Sequence, residues 1–174
     1  DPKYAKLAPY TQSPGIYRCP ADKSTVKNRG KNVPRVRSVS LSQAMNSRND
    51  WLSFITKRQY HVFRKLSDIN VMGTSNAYNF INEHPDSINF GDLAVAMNDG
   101  VASTRIYIID YPASNHNGAG TISFADGHAE PHKWLDERTT PPVTNKSLRL
   151  VVPSAHNQDM VYMSSKASVA KKQQ

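Results

Sequence analysis

The chain has a single cysteine, Cys19, among its 174 residues. One cysteine excludes an internal disulfide and any zinc site built from several cysteines. Cys19 lies beside a proline in "YRCPAD", and we expect it to be a small, partly buried apolar side chain. A reactive thiol or an intermolecular disulfide is the alternative. Long apolar runs are missing too, since about 18 consecutive apolar residues occur nowhere, so the sequence predicts no membrane-spanning helix within these residues.

The beginning of the sequence also lacks expected features. "DPKYAKLAPY" is polar, has no methionine, and contains no apolar segment of a signal peptide. We therefore expect the sequence to be a processed product or a fragment. Hydrophobic residues make up 38% and charged residues 21%, which suits one globular domain with much loop. Eleven prolines and eight glycines, spread along the chain, favour short elements over long helices.

Basic residues outnumber acidic ones and are concentrated in two places. The net charge is +8, and "KSTVKNRGKNVPRVR" (23–37) and the last residues contain lysines and arginines without a single acid. No aromatic side chains are interleaved to stack on bases, so the nucleic-acid signal is weak. We expect a solvated basic loop and tail. The alternative is a binding module for an anionic glycan or DNA that uses Lys27, Arg29 and Lys31.

Hydrophobic periodicity gives a coarse secondary structure. β-Branched and aromatic residues alternate over 77–83 and 104–110, which predicts two strands. The stretch 35–45 predicts a third strand, which runs into a short helical or irregular piece around 42–50. An amphipathic helix is predicted over about 57–66, and a strand over 159–163. We expect the last ten or so residues to be disordered.

The stretch "HNGAGTISFADGH" (116–128) predicts a β-hairpin. Asp126-Gly127 between alternating runs is a strong hairpin signal, because a type I′ turn needs positive φ at both central residues. A two-residue loop would pair Phe124 with Ala129 and Ile122 with Pro131 on a core face. Pro131 cannot donate to a ladder, so the second strand should be an edge. The other face would collect the polar side chains Thr121, Ser123, His128, Glu130 and His132.

This polar face is the first candidate for chemistry. With His116 just upstream, the residues His116, Asp126, His128 and His132 offer ligands for a transition metal, as in a metal-dependent hydrolase. The alternative is a set of solvated or locally hydrogen-bonded histidines on an edge strand. The sequence contains no Gly-x-Ser-x-Gly motif and no evident cysteine–histidine pairing, so no nucleophile stands out.

A second candidate is the oxygen-rich segment 82–100. Its carboxylate and amide oxygens suit Ca²⁺, although the spacing is not that of an EF-hand. The alternative is a loop whose side chains cap its own backbone. The segment contains Glu83, Asp86, Asn89, Asp92, Asn98 and Asp99.

His116, nine further residues and then Asp126-Gly127 resemble the signature of the prepilin-type processing-associated domain of bacterial pseudopilin-like proteins. The resemblance extends over about residues 1–163. It rests also on segments that follow one another in the order expected for such proteins: "SPGIYRCPADKS", "RVRSVSLSQAM", "KLSDI", "NEHPDSIN", "DYPASNHNGAGTISFADGHAEPHKW" and "NQDMVYM".

The resemblance implies a fold and a function. Members have an α+β, pilin-like globular head with an antiparallel sheet, preceded by a long hydrophobic helix that this chain lacks. Residues 1–163 would form the head and 164–174 a flexible basic tail. We therefore expect a structural subunit of a type II secretion or type IV pilus-like filament, not an enzyme. It would lie at the bacterial envelope, anchored in the inner membrane before assembly. Its partners would be other pseudopilin-like subunits and, through the helix, the assembly machinery.

The resemblance also implies site residues. The matching positions are His116, Asp126, Gly127 and His128 in the signature and Glu83, His84, Asp86 and Ser87 in the acidic loop. Major pseudopilins hold a structural Ca²⁺, which implies an ion near 83–99 or 110–126, although this loop departs from their motif. The analogy does not by itself define a ligand set. Taken from the two candidate segments together, the candidate metal ligands are Glu83, Asp86, Asp92, Asp99, His116, Asp126 and His128.

Overall fold

The computed structural model describes residues 7–46, 50–98 and 104–172. Its helices are short, apart from one near the end of the chain, and its strands span two to six residues. The elements, with η for 3-10 helices, are α1 (Ala8–Thr11), η1 (Pro14–Tyr17), β1 (Thr25–Asn28), β2 (Lys31–Pro34), β3 (Val39–Ser42), η2 (Leu66–Val71), β4 (Tyr78–Asn82), β5 (Asp92–Leu93), β6 (Tyr107–Ile108), β7 (Ala119–Phe124), β8 (Ala129–Lys133), η3 (Glu137–Thr139), β9 (Val152–Pro153) and α2 (Gln158–Ala167).

A five-stranded sheet in the order β5-β3-β4-β7-β8 forms the centre of the fold. Its neighbours are antiparallel except β3 and β5, which are parallel. Two further pairs, β1-β2 and β6-β9, form separate two-stranded sheets. The predicted α+β class is confirmed, with a mixed central sheet. No helix within the described ranges is long and apolar enough to cross a membrane.

The main hydrophobic core includes residues of the central sheet and of α2. Ile122 and Phe124 of β7 are buried, and so are Met160 and Met163 of α2. Asn157 directly precedes α2 as its N-cap, and its side-chain oxygen accepts a hydrogen bond from the backbone N–H of Met160 at 3.1 Å. This N-cap satisfies a backbone donor that the first turn leaves unpaired.

The strand predictions hold best in the centre of the sheet. The strand predicted over 77–83 is confirmed as β4. The strand predicted within 35–45 is β3, and the strand predicted over 104–110 is shortened to β6. The helix predicted over 57–66 is wrong, because Tyr60 and Phe63 form isolated β-bridges with Ala170 and Met45. The strand predicted over 159–163 is also wrong, because these residues lie in α2.

The end of the chain is more ordered than the sequence predicts. Ser164 and Ala167 are buried in α2, so the predicted boundary between head and tail at 163/164 falls inside this helix. Beyond α2, the Lys171 N–H donates to the Gln59 carbonyl at 2.8 Å. Residues 164–172 therefore belong to the packed domain.

The hairpin of β7 and β8 is confirmed, but its register differs by one residue from the prediction. Ser123 pairs with Ala129 and Ile122 with Glu130. The Phe124 N–H donates to the His128 carbonyl at 2.9 Å, which leaves a three-residue loop ending at Gly127 with φ of 97°. This loop is the type in which a left-handed residue completes the turn.

The register change reverses the faces of β8 relative to β7. Because Ile122 lies opposite Glu130, the side chains of His128, Glu130 and His132 share a face with the buried Ile122 and Phe124. The predicted separation into an apolar core face and a polar solvent face is therefore wrong. The predicted edge position of the second strand is confirmed, since β8 ends the sheet.

Candidate functional site

The two-residue turn of this region lies at Asn117 and Gly118, not at Asp126-Gly127. Both residues have positive φ, 54° and 78°. The N–H of His116 donates to the Ala119 carbonyl at 3.2 Å, and the Ala119 N–H donates back to the His116 carbonyl at 3.1 Å. Paired hydrogen bonds around two left-handed residues define a type I′ turn, which Asn-Gly favours most strongly.

His116 contacts the lone cysteine. Its Nε2 lies 3.2 Å from Sγ of Cys19, which is buried and whose N–H donates to Oγ of Ser38 at 2.7 Å. The contact joins the turn before β7 to the "CPAD" segment. The sequence did not reveal this cysteine–histidine pair, because 97 residues separate the two side chains.

Asp126 and His128 close the loop at the other end of β7. The backbone N–H of His128 and its Nδ1 approach Oδ1 of Asp126 at 3.1 and 2.6 Å, and these hydrogen bonds lower the pKa of Asp126. The His128 ring stacks on Phe124 with centroids 4.4 Å apart. A six-residue strand is about 20 Å long, so His116 and Asp126 cannot share an ion.

His132 lies against α2 and is half-buried. Its ring stacks on Tyr162 with centroids 3.8 Å apart, and burial lowers its pKa. The Tyr162 hydroxyl donates to Oε1 of Glu130 at 3.0 Å. Glu130 and His132, two of the side chains predicted to form the solvated face of the hairpin, therefore contact α2. The four predicted ligands His116, Asp126, His128 and His132 do not form one centre.

Among the carboxyl groups of the described residues, two buried ones have the pKa values that are raised furthest. Glu83 is fully buried next to β4, accepts a hydrogen bond from Oγ of Ser40, and lies 4.0 Å from Nη1 of Arg37. Burial raises its pKa to about 8, against the opposing effect of Ser40. The negative charge of Asp110 adds to the rise.

Asp110, the second carboxyl, was missed by the sequence reasoning. It is 4% exposed, its Oδ2 accepts the Ala94 N–H at 2.7 Å, and burial raises its pKa to about 6. A signal existed, because "AYNFINE" and "TRIYIID" are both β-prone runs that end directly on an acid. A carboxyl at that position shares the burial of the strand it follows.

The remaining residues of the predicted calcium loop have separate partners. Oδ2 of Asp86 accepts from the N–H and Oγ1 of Thr144 at 2.7 and 3.1 Å. The ring of His84 accepts the Asp86 N–H at Nδ1, so its Nε2–H donates to the Pro141 carbonyl at 3.0 Å. Ser87 Oγ accepts the Tyr111 N–H at 2.9 Å.

The other acidic residues of the segment lie apart from these contacts. Asp92 lies in β5 at the sheet edge, and Asp99 lies outside the described residues. Within the part of the chain that the structure describes, no three Asp, Glu, His or Cys side chains converge on one point.

The basic residues of 23–37 lie on a projecting hairpin. Lys27, Arg29 and Lys31 are all exposed, and Arg29 and Gly30 have positive φ at the turn between β1 and β2. Lys27 pairs with Asn32 whereas Lys31 pairs with Asn28. Adjacent pairs face opposite sides of a ladder, so the two lysines flank the tip instead of sharing one face.

Comparisons of this chain with protein-family models, with curated protein sequences and with solved structures give no match. The signature residues form turns and join segments.

Proposed function

We propose that the chain is the globular head of a pilin-like structural subunit in a type II secretion or type IV pilus-like filament, and that it is not an enzyme. One observation carries the proposal. The signature residues His116 and Asp126 lie at the two ends of the central strand β7, and each holds a turn in place.

The spacing of the signature then has a physical meaning. Nine residues between His116 and Asp126 comprise the Asn117-Gly118 turn, the six residues of β7 and the first loop residue, Ala125. A motif of this kind specifies a strand length and two turns, as a rigid structural head requires. A filament subunit needs a head that holds its contact surfaces rigid toward neighbouring subunits. Such a head fits partners of the same pseudopilin-like class at the bacterial envelope.

The proposal is tested in a bacterium that encodes the protein with the upstream helix that the resemblance implies. Antibodies against the head are used to probe filaments sheared from the cells. We expect the chain in the sheared fraction, and we expect its loss from that fraction when the prepilin peptidase gene is deleted. Recovery of the chain in the soluble extract, unchanged by the deletion, would refute the proposal.

A second candidate function is polyanion binding, because the β1-β2 hairpin presents three exposed basic side chains around one tip. The test is a triple variant, Lys27→Ala, Arg29→Ala and Lys31→Ala. The variant and the unsubstituted chain are each titrated with a heparin oligosaccharide and with duplex DNA. If the hairpin is the binding element, affinity at about 50 mM salt falls tenfold or more and the salt dependence weakens, because fewer counterions are released.

The matched control is Arg64→Ala, Lys171→Ala and Lys172→Ala, which removes the same charges from other exposed positions. Equal losses in both triple variants would indicate a non-specific effect of net charge. Absence of binding by the unsubstituted chain at low salt would end this candidate.

A further inference from the structure

An open groove of about 330 Å³ lies between β3 and η2. Most of its lining is apolar and comes from Leu41, Met45, Phe63, Leu66 and Ile69. Leu66 is 63% exposed, so part of this apolar lining faces solvent. An exposed apolar surface with a polar rim is typical of an interaction site. The volume is in the range of small-molecule pockets, so the groove can hold an aromatic side chain.

The rim of the groove is positively charged. Arg64 and Lys65 also line it and are both exposed, and none of the described residues that line it is acidic. Oδ2 of Asp68 accepts the backbone N–H groups of these two residues at 3.0 and 3.2 Å, which fixes the backbone of the rim. Within the described part of the chain, neither cation forms an ion pair. The complement of the groove is therefore an apolar group flanked by negative charge.

The chain itself carries such a group on another surface. Phe90 is 72% exposed and lies two residues before β5. Nη2 of Arg37 donates a hydrogen bond to the Phe90 carbonyl, which fixes the backbone that presents the ring. Phe90 lines a concave surface together with Asp50 and Asp92, and no lysine, arginine or histidine is among the described residues of that lining.

The two surfaces adjoin at the β5 edge of the central sheet. Leu41 of the groove is paired in register with Asp92, which lies on the acidic surface with Phe90. Surfaces that lie side by side in one molecule cannot cover each other. A second copy related by a two-fold axis can cover both, because each surface then faces its complement on the other copy.

We propose that a second copy of this chain binds at this face and forms a two-fold dimer of heads. Phe90 of each copy enters the groove of the other copy, and the acidic surface around the ring faces Arg64 and Lys65. The aromatic ring in a groove supplies most of the affinity, and the opposite charges set the orientation of the two copies. The dimer does not rest on the proposed filament, because the purified chain alone must form it.

Sedimentation velocity of the purified chain, at concentrations up to about 1 mM, tests whether the dimer forms. We expect the sedimentation coefficient to rise with concentration from that of a monomer to that of a dimer. We expect the dimer to be weaker at about 0.5 M salt than at about 0.05 M salt, because salt screens charges at the rim of an interface. A chain that stays monomeric over this range would overturn the proposal.

Two charge-reversal variants test the orientation of the contact. One variant carries Arg64→Glu and Lys65→Glu, and the other carries Asp50→Lys and Asp92→Lys. Each variant alone places like charges opposite each other, so its self-association should weaken at least about tenfold. An equimolar mixture of the two variants places opposite charges at both contacts and should restore the dimer. Restored association also shows that both variants are folded, whereas two variants that dimerise as the unsubstituted chain does would overturn the proposal.

Phe90→Ala tests the apolar part of the contact. The side chain is largely exposed, so the variant should keep its circular dichroism spectrum, and its dimer should be weaker by about tenfold or more. The matched charge control is Lys27→Glu with Lys31→Glu, on the β1-β2 hairpin, whose residues line neither surface. This control should dimerise as the unsubstituted chain does. A folded Phe90→Ala with unchanged dimerisation, or an equal loss in the control, would contradict the proposed contact.

Discussion

Between pH 6.5 and 9, the free energy of unfolding of the unsubstituted chain is expected to fall, and Glu83→Gln is expected to make this fall smaller. Burial raises the pKa of Glu83 to about 8, above its ordinary value of 4.5. The folded state therefore holds this proton more tightly than the unfolded state. Between these two values, stability falls as the pH rises, because ionisation is favoured only in the unfolded chain.

The size of the effect follows from the pKa. Each unit of pKa difference corresponds to about 1.4 kcal/mol. From pH 6.5 to 9 the unsubstituted chain should therefore lose roughly 2 kcal/mol through Glu83, a loss that Glu83→Gln lacks. Asp110, whose pKa is about 6, contributes mainly below this interval. The choice of interval separates the two carboxyls.

Urea unfolding at pH 6.5, 7.5 and 9 measures the difference. Glu137→Gln is the matched control, because it makes the same change at an exposed position and should keep the pH dependence of the unsubstituted chain. If Glu83→Gln and the unsubstituted chain lose the same stability, Glu83 is ionised throughout and Arg37 compensates its charge.

Gly120→Ala is expected to destabilise the domain by about 3 kcal/mol. A Cβ at this position of β7 would lie 2.6 Å from the Ala113 carbonyl oxygen and 3.3 Å from the Trp134 ring. The same carbonyl accepts the buried Trp134 Nε1–H at 2.9 Å. The added methyl group therefore overpacks the site and strains a buried hydrogen bond, and each effect costs about 1 to 3 kcal/mol.

The control is Gly91→Ala, where an added Cβ would meet no atom within 4 Å and φ is not positive. Urea unfolding followed by circular dichroism compares both variants with the unsubstituted chain. A loss below about 0.5 kcal/mol in Gly120→Ala, close to that in Gly91→Ala, would show that β7 shifts freely and that the contact is not a constraint.

The sequence predicted the hairpin but not its register, for an identifiable reason. "NG" at 117–118 and "DG" at 126–127 are both hairpin signals, but only the first forms a two-residue turn. At the second, a three-residue loop lets His128 bond Asp126 and stack on Phe124. Such side-chain contacts form only in the assembled loop, whereas the period-2 pattern fits either register.

The errors at the end of the chain have a different cause. "DMVYM" contains β-branched and aromatic residues, which favour a strand locally. The buried cap Asn157 and the burial of Met160, Met163 and Ala167 instead select a helix. Tertiary packing overrides local propensity here. The candidate site was also predicted only in part. Glu83 was identified from its acidic loop, whereas the effect of Asp110 on its pKa depends on the topology of the sheet.

The position of α2 also determines the order in which the domain can be completed. The strands β3, β4, β7 and β8 all precede this helix in the chain, yet their shared core is covered by residues from 158 onwards. The final segment also pairs with the middle of the chain, where Ser168 bonds the His61 carbonyl across 107 residues. Contacts of such sequence separation form late. During synthesis on a ribosome, the face of β8 that carries His132 therefore stays exposed to solvent until α2 has emerged and packs against it.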